Sequence, residues 1–313
     1  MENLKFKQPV NVQLLSRKTM RNLDDFLTMI QIHIDSLPEL PIDEWLSWSK
    51  KGIYQWNETS IQKIYDMFHH NFEHMEKYTE YGTFDIQWKH QKKIKAEGMW
   101  TPGFLSNALN IFRHGSDRFT YEFNHLPCDV PVRYLKQAAV PLAVDFAFID
   151  TMTEEYRMRY QPEQERYLYC IGRSYAFYAA TIELIHCLPD MYWGVVFGKA
   201  YSELFGMDKL LSAPAYYVEQ LSDDAVYIQL SETLGDVLTD FDGVQVVREK
   251  VKEHLGNAFF KPELAYSIRS GTPADEDPFY EPPEPGLVYN VPKFQLEKDR
   301  YVDWEDTWRG KEE

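Results

Sequence analysis

The run from Arg173 to Leu230 leaves this chain few architectures to choose from. It opens on an apolar, aromatic-rich stretch, RSYAFYAATIELIHCLPD, whose spacing predicts a helix. A Trp-Gly turn is expected in YWGVVFG, then a short amphipathic piece, KAYSELFGMDKLL, and then a hairpin made by AYYVEQL and AVYIQL. Helix, turn, helix and paired strands in that order do not make a βαβ unit. They point to α+β, a mixed or antiparallel sheet packed with several amphipathic helices.

The flanking sequence continues the pattern. LKFKQPVNVQLL alternates and reads as a strand, or a strand pair broken at Pro9. Ser16 suits the cap of a helix carrying Met20, Leu23, Leu27, Ile30, Ile34 and Leu37, which Pro38 and Pro41 end. Pro41 then starts a short helix with Trp45 and Trp48. Asn57 caps a longer helix over Glu58 to Tyr78, with Ile61, Ile64, Tyr65, Phe68, Phe72 and Met75 as its buried stripe. The basic run WKHQKKIKAE, Trp88 to Glu97, reads as a solvated helix face or loop. A short helix is expected over Phe104 to Phe112, a strand at FTYEF (119–123) and a central strand within AVPLAVDFAFID (139–150). Gly243 introduces a helix with Val244, Val247, Val251 and Leu255 on one face, and Gly256 is placed to end it. One α+β domain is expected over 1–266, any subdivision falling near 115–125. Residues 267–313 form an acidic, Pro-rich extension with an aromatic segment at its end.

Charge narrows the function. Among 313 residues, 49 acids against 33 Lys and Arg give a formal net charge of −16. Such a chain repels nucleic acid and anionic membrane and attracts a basic protein, although the same charge also serves plain solubility. Cys128, Cys170 and Cys187 lie far apart with no CxxC pair, as in a protein with reduced thiols. The opening MENLKFKQPVNVQLL has no apolar h-region, and no stretch approaches about 18 apolar residues, so a cytoplasmic protein is expected.

Catalytic signatures are thin. His70 and His74 stand four apart, near His69, Asp66 and Glu73, a spacing that puts two imidazoles on one helix face where they could share a zinc ion. Phe68, Phe72 and Met75 claim the buried side, however, and HHNFEH is not HExxH, so a polar helix face is the reading taken. Glu183 and His186 form a single Glu-x-x-His where a di-iron bundle needs two such motifs and further glutamates. There is no GxSxG elbow and no phosphate-binding Gly-rich loop, and Cys187 reads as a small core residue. No catalytic residue, metal or cofactor is therefore expected.

Leu188-Pro189, Tyr192-Trp193-Gly194, Phe197-Gly198, Tyr201, Leu204-Phe205-Gly206 and Leu210-Leu211 form an ordered series. Val218, Leu221-Ser222-Asp223-Asp224 and Tyr227-Ile228-Gln229-Leu230 continue it. This order resembles the C-terminal half of bacterial immunity proteins of polymorphic-toxin and type VI secretion systems. The resemblance implies a cytoplasmic protein that neutralises a cognate toxin by tight binding, without catalysis. It also implies a basic toxin, which an acidic chain would attract.

The expected contact residues are Asp223 and Asp224 in the hairpin turn, Asp275, Glu276 and Asp277 in the acidic extension, and Trp304, Glu305 and Trp308 near its end. Tyr301, Trp304 and Trp308 recur at i, i+3, i+7, which suits a strip that docks on a partner or a second copy, or that packs back on its own body. Two other classes stay open. One is a metal-dependent hydrolase or oxidoreductase using His70, His74, Glu183 or His186, and the other is a structural or scaffold protein.

Overall fold

The segment Pro9–Ser16 (β1) alternates Val10, Val12 and Leu14 with Asn11 and Gln13, a pattern that suits a sheet with one wet face, yet every residue of it is buried. Its polar face is covered by a later part of the chain. Gln13 Nε2 donates to Ala179 O at 3.0 Å, and Ala179 N donates back to Gln13 Oε1 at 2.9 Å. The carboxamide thus pairs with a main chain as a neighbouring strand would.

The structure is a computed structural model describing residues 7–18, 23–47, 52–74, 85–92, 94–102, 104–106, 111–160, 177, 179, 184 and 188–260. Its strands after β1 are β2 (Glu44–Ser47), β3 (Tyr54–Gln55), β4 (Ile86–His90), β5 (Ala96–Thr101), β6 (Phe104–Ser106) and β7 (Ile111–Arg113). β8 (Gly115–Glu122), β9 (Val144–Thr151), β10 (Gly194–Phe197), β11 (Tyr217–Ser222) and β12 (Ala225–Gln229) follow. A 10-stranded sheet runs in the order β11-β12-β10-β9-β1-β8-β5-β4-β2-β3, and β6 pairs separately with β7. Every named strand pair is antiparallel. With the helices on its faces, this is an α+β fold.

Helices cover both faces. On one side lie α1 (Leu23–Ser36) and α3 (Asp129–Ala139), which pack on each other, with α2 (Ser60–His74) against α1. Tyr134 of α3 reaches Asp117 of β8, and His33 of α1 sits edge-on to Trp88, Trp100, Phe119 and Tyr134. The opposite face carries Phe146, Phe148 and Asp150 of β9. Against it pack α5 (Lys199–Phe205), through Tyr201 on Phe146, and α8 (Phe241–Leu255), through Arg248 on Asp150. Three short α-helices, α4 (Glu154–Tyr160), α6 (Met207–Leu211) and α7 (Asp236–Thr239), and a 3-10 turn at Asn257–Phe259 complete the described set.

The strand at Pro9, the strand at 119–123, the strand inside 139–150 and the Tyr217–Gln229 hairpin form where the pattern placed them. Asp240 caps α8 by accepting from Gly243 N, and the helix stops at Gly256, whose φ of +120° suits glycine.

Other segments take another form. Ser16 caps no helix; it closes β1 and its hydroxyl donates to Leu142 O, while α1 begins at Leu23. The residues after Pro41 are strand rather than helix, because β2 pairs with β4 and sets Trp45 opposite Trp88. Burying two indoles side by side outweighs a local helix-start signal. The basic run is a hairpin, not a solvated helix face or loop. Trp88 and Lys89 lie in β4 opposite Gly98 and Glu97 of β5, and Lys89 is buried with its ammonium 3.2 Å from Glu97.

Phe104 to Phe112 yields β6 and β7 instead of a helix, the two strands pairing with each other from Phe104↔Arg113 to Ser106↔Ile111. YWGVVFG is no turn: Gly194–Phe197 is the buried strand β10 between β9 and β12. The amphipathic piece breaks at Gly206, φ +86°, into α5 and α6. Of the helix expected before Leu188, only Phe177, Ala179 and Leu184 are described, all buried. Trp48 and residues 261–313 lie outside the described residues.

Candidate protein-binding face

The interior consumes cations that the surface would otherwise display. On α8, Val244, Arg248, Val251, Lys252 and Leu255 share the buried face, so two bases point into the protein. Arg248 donates to Met191 O at 2.7 Å, to Gln245 Oε1 at 2.7 Å and to Asp150 Oδ2 at 3.0 Å. Lys252 Nζ stands 3.2 Å from Asp190 and 2.8 Å from Glu249. The acids are held in turn. Asp150 also accepts from Thr151 N at 2.7 Å and Trp193 N at 2.9 Å, and Asp190 from Tyr156 Oη at 2.5 Å and Met191 N at 2.8 Å. Burial still pushes the Asp150 carboxyl up to about 6, against the opposing pull of Arg248.

A cavity of about 500 Å³ adjoins this network, lined by Arg159, Tyr160, Gln245, Glu249, Lys252, Asn257 and Phe260. Its charged lining is already committed: Arg159 to Asp242 at 3.1 Å, and Tyr160 to Glu249 at 2.8 Å. The network therefore fastens α8 to β9 and to the approach to β10.

Two more buried clusters look like chemistry and serve as clamps. His33 Nδ1 lies 2.6 Å from Asp117 Oδ2, which also accepts from Tyr134 Oη at 2.5 Å. All three are fully buried under aromatic rings, and burial together with Asp117 raises the Tyr134 hydroxyl well above its ordinary range. No substrate reaches them. Asp145 of β9 holds Arg17 at 2.8 Å and His114 at 3.2 Å, tying the end of β1 to the start of β8.

Burial disfavours the ionised Asp145, but His114 and Arg17 hold its carboxyl below the usual range. The folded chain thus gives up this proton more readily than the unfolded one. The stabilisation is complete above about pH 4 and is lost as pH falls through the lower folded value. Between about pH 5 and about pH 3, urea unfolding should show a steeper loss for the native chain than for Asp145→Asn; parallel curves would refute the clamp.

With Arg248 and Lys252 internal, the outside of the 188–260 region is dominated by acids. Glu203, Asp208, Asp223, Asp224, Glu232, Asp240, Asp242 and Glu253 are exposed. Asp223 and Asp224 form the turn between β11 and β12, where Ser222 Oγ donates to Asp224 at 2.8 Å. Beside them runs β11, the terminal strand of the sheet. Tyr216 and Tyr217 are 57% and 43% exposed there, with Leu211 of α6 at 38%. Behind the strand, Lys136 of α3 pairs with Glu219 at 2.6 Å and lies over the Tyr217 and Tyr227 rings at 5.0 and 4.5 Å. That ammonium holds the Glu219 carboxyl below its ordinary range. Exposed tyrosines within an acidic rim have the composition of a protein-contact surface.

Of the expected contact residues, Asp223 and Asp224 fall on this face; Asp275, Glu276, Asp277, Trp304, Glu305 and Trp308 lie outside the described residues. His70 and His74 are on α2, with side chains outside the described set, as are Glu183 and His186. Among the described residues no three His, Cys, Asp or Glu side chains gather as a metal set, and no helix is long and apolar enough to cross a membrane. The sequence reading missed Tyr216, Tyr217 and the Arg248 network. An arginine and a lysine at the i+4 and i+8 positions of the Val244 stripe were the signal for the latter.

No protein-family model matches the chain, and no curated protein matches it. Among solved structures, its fold is similar to that of the Pseudomonas aeruginosa T6SS protein PA0821, with a TM-score of 0.52 over 98% of this chain and 86% of that one. At 10% identity the likeness is one of fold: this chain has the α+β architecture of that protein.

Proposed function

We propose that the chain is an immunity-protein-like binding protein of the cytoplasm, which neutralises a basic toxin partner by direct binding and occlusion. The observation that carries this reading is the division of charge. Arg248 and Lys252 are spent on buried aspartates, so acids outnumber bases among the exposed residues of 188–260, and β11 carries exposed Tyr217 at one end and the exposed Asp223-Asp224 turn at the other. A field of that sign speeds encounter with a cationic protein, and half-exposed tyrosines supply contact area at low entropic cost. The shared fold with a protein named for type VI secretion agrees with a place in such a system.

Co-expression with the proteins encoded beside this chain provides the test. One neighbour is expected to arrest growth alone, to be tolerated with this chain present, and to co-purify with it. If no neighbour is toxic and none co-purifies, the reading is wrong. Asp223→Lys combined with Asp224→Lys reverses charge at an exposed turn, and should weaken association by about tenfold or more at low salt with thermal stability unchanged. Unaltered affinity would move the contact away from this turn.

A further inference from the structure

We propose that the free edge of β11 takes up an extended, lysine- or arginine-rich strand of the partner by main-chain pairing. This rests on the binding reading above and specifies how the contact is made.

The two ends of the sheet differ. At one end β3 has only the residues Tyr54–Gln55, the brevity by which edge strands avoid pairing with other chains. At the other, β11 has 6 residues, YVEQLS, with no proline and no lysine. Among the described residues β11 pairs with β12 alone, leaving its outer row of N–H and C=O groups facing out. Its register against β12 is regular from Tyr217 to Gln220 and shifts only between Gln220 and Ser222. Among the described residues a regular stretch of four residues, Tyr217 to Gln220, unpaired on its outer side, therefore follows directly on Tyr216.

Charge selects the occupant. Asp223 and Asp224 stand at one end of this edge, Glu219 within it, and Asp208 is exposed on the neighbouring α6. Glu219 is already paired with Lys136 and Lys209 is exposed beside Asp208, so a cationic strand meets its unopposed acids at the Asp223-Asp224 end of the edge. A second copy brings another chain of net charge −16 and the same acidic turn, which opposes edge-to-edge self-pairing. Main-chain bonds would supply affinity, and alternate lysine or arginine side chains would supply selectivity for the acidic rim.

The test uses the full chain and a synthetic peptide of alternating lysine and valine. A second peptide of the same sequence is N-methylated at alternate residues, which keeps its charge and removes one edge of N–H donors. The plain peptide is expected to bind at least tenfold more tightly than the methylated one, and to slow hydrogen exchange of alternate amides between Tyr217 and Ser222. Equal binding of the two peptides, or binding without amide protection, would overturn strand pairing and leave a purely electrostatic contact. Absence of binding by either peptide overturns the inference as well, while the growth-rescue result stands or falls separately. A dimer whose β11 amides are already protected would assign the edge to a second copy. Protection in a monomer would assign it to the chain's own residues. Either result refutes the proposal.

Discussion

Replacing Arg248 by methionine should cost the folded protein about 3–5 kcal/mol, read as a lower urea midpoint at unchanged slope. The guanidinium is fully buried and makes contacts to Met191, Gln245 and Asp150 that no thioether can replace. Its loss leaves Asp150 and Asp190 buried with Lys252 as the remaining buried cation beside them. Much of the cost is the stranded carboxylate rather than the lost attraction. The pH dependence identifies that origin. Asp150 already holds its proton up to about pH 6 in the folded protein, above the unfolded value of about 4, so its contribution to stability declines as pH rises through that interval. Without Arg248 the carboxyl rises further, and the decline extends to higher pH. The deficit of Arg248→Met should therefore be larger near pH 7.5 than near pH 5, and Asp150→Asn placed on top should recover part of it. A deficit independent of pH would mean that packing, not charge, is what the arginine supplies.

Gly198→Ala should be worse, about 4 kcal/mol or more, appearing as loss of soluble folded protein. A Cβ at Gly198 would sit 1.7 Å from Val144 O and 2.8 Å from Val144 C, both main-chain atoms of an interior strand. The glycine cannot retreat, because its own N–H donates to Asp145 O at 2.9 Å. A conservative control is Gly206→Ala. No atom lies within 4 Å of a Cβ there, and only the backbone conformation, φ +86° and ψ +139°, opposes it, so the cost should be about 1–3 kcal/mol. Equal stability of the two variants would contradict the close approach of β10 to β9.

What was legible in the sequence was local. The Asp223-Asp224 turn and the strands around it depend on neighbouring residues, and both could be read directly. Trp45 was misread because the proline before it is a local signal, whereas the pairing that decides its fate is with Trp88, far along the chain. Arg248 was passed over for the same reason. Its helical spacing puts it on the Val244 stripe, but the carboxylate that admits a charge there, Asp150, lies 98 residues earlier. The exposure of Tyr216 and Tyr217 depends on strand order, since the same residues one strand further in would be core. Non-local pairing thus decided both the interior clamps and the candidate contact edge.

The reciprocal bonds between Gln13 and Ala179 have a consequence for sequence drift. Both are made to main-chain atoms of residue 179, so the strand side of the contact needs a carboxamide, while the covering segment needs only a small residue at a fully buried position. Substitutions at position 179 are then filtered by size alone. Gln13 admits almost none, because glutamate loses the donor and leucine loses both partners. Across divergent relatives, position 13 should stay fixed while position 179 varies among small residues.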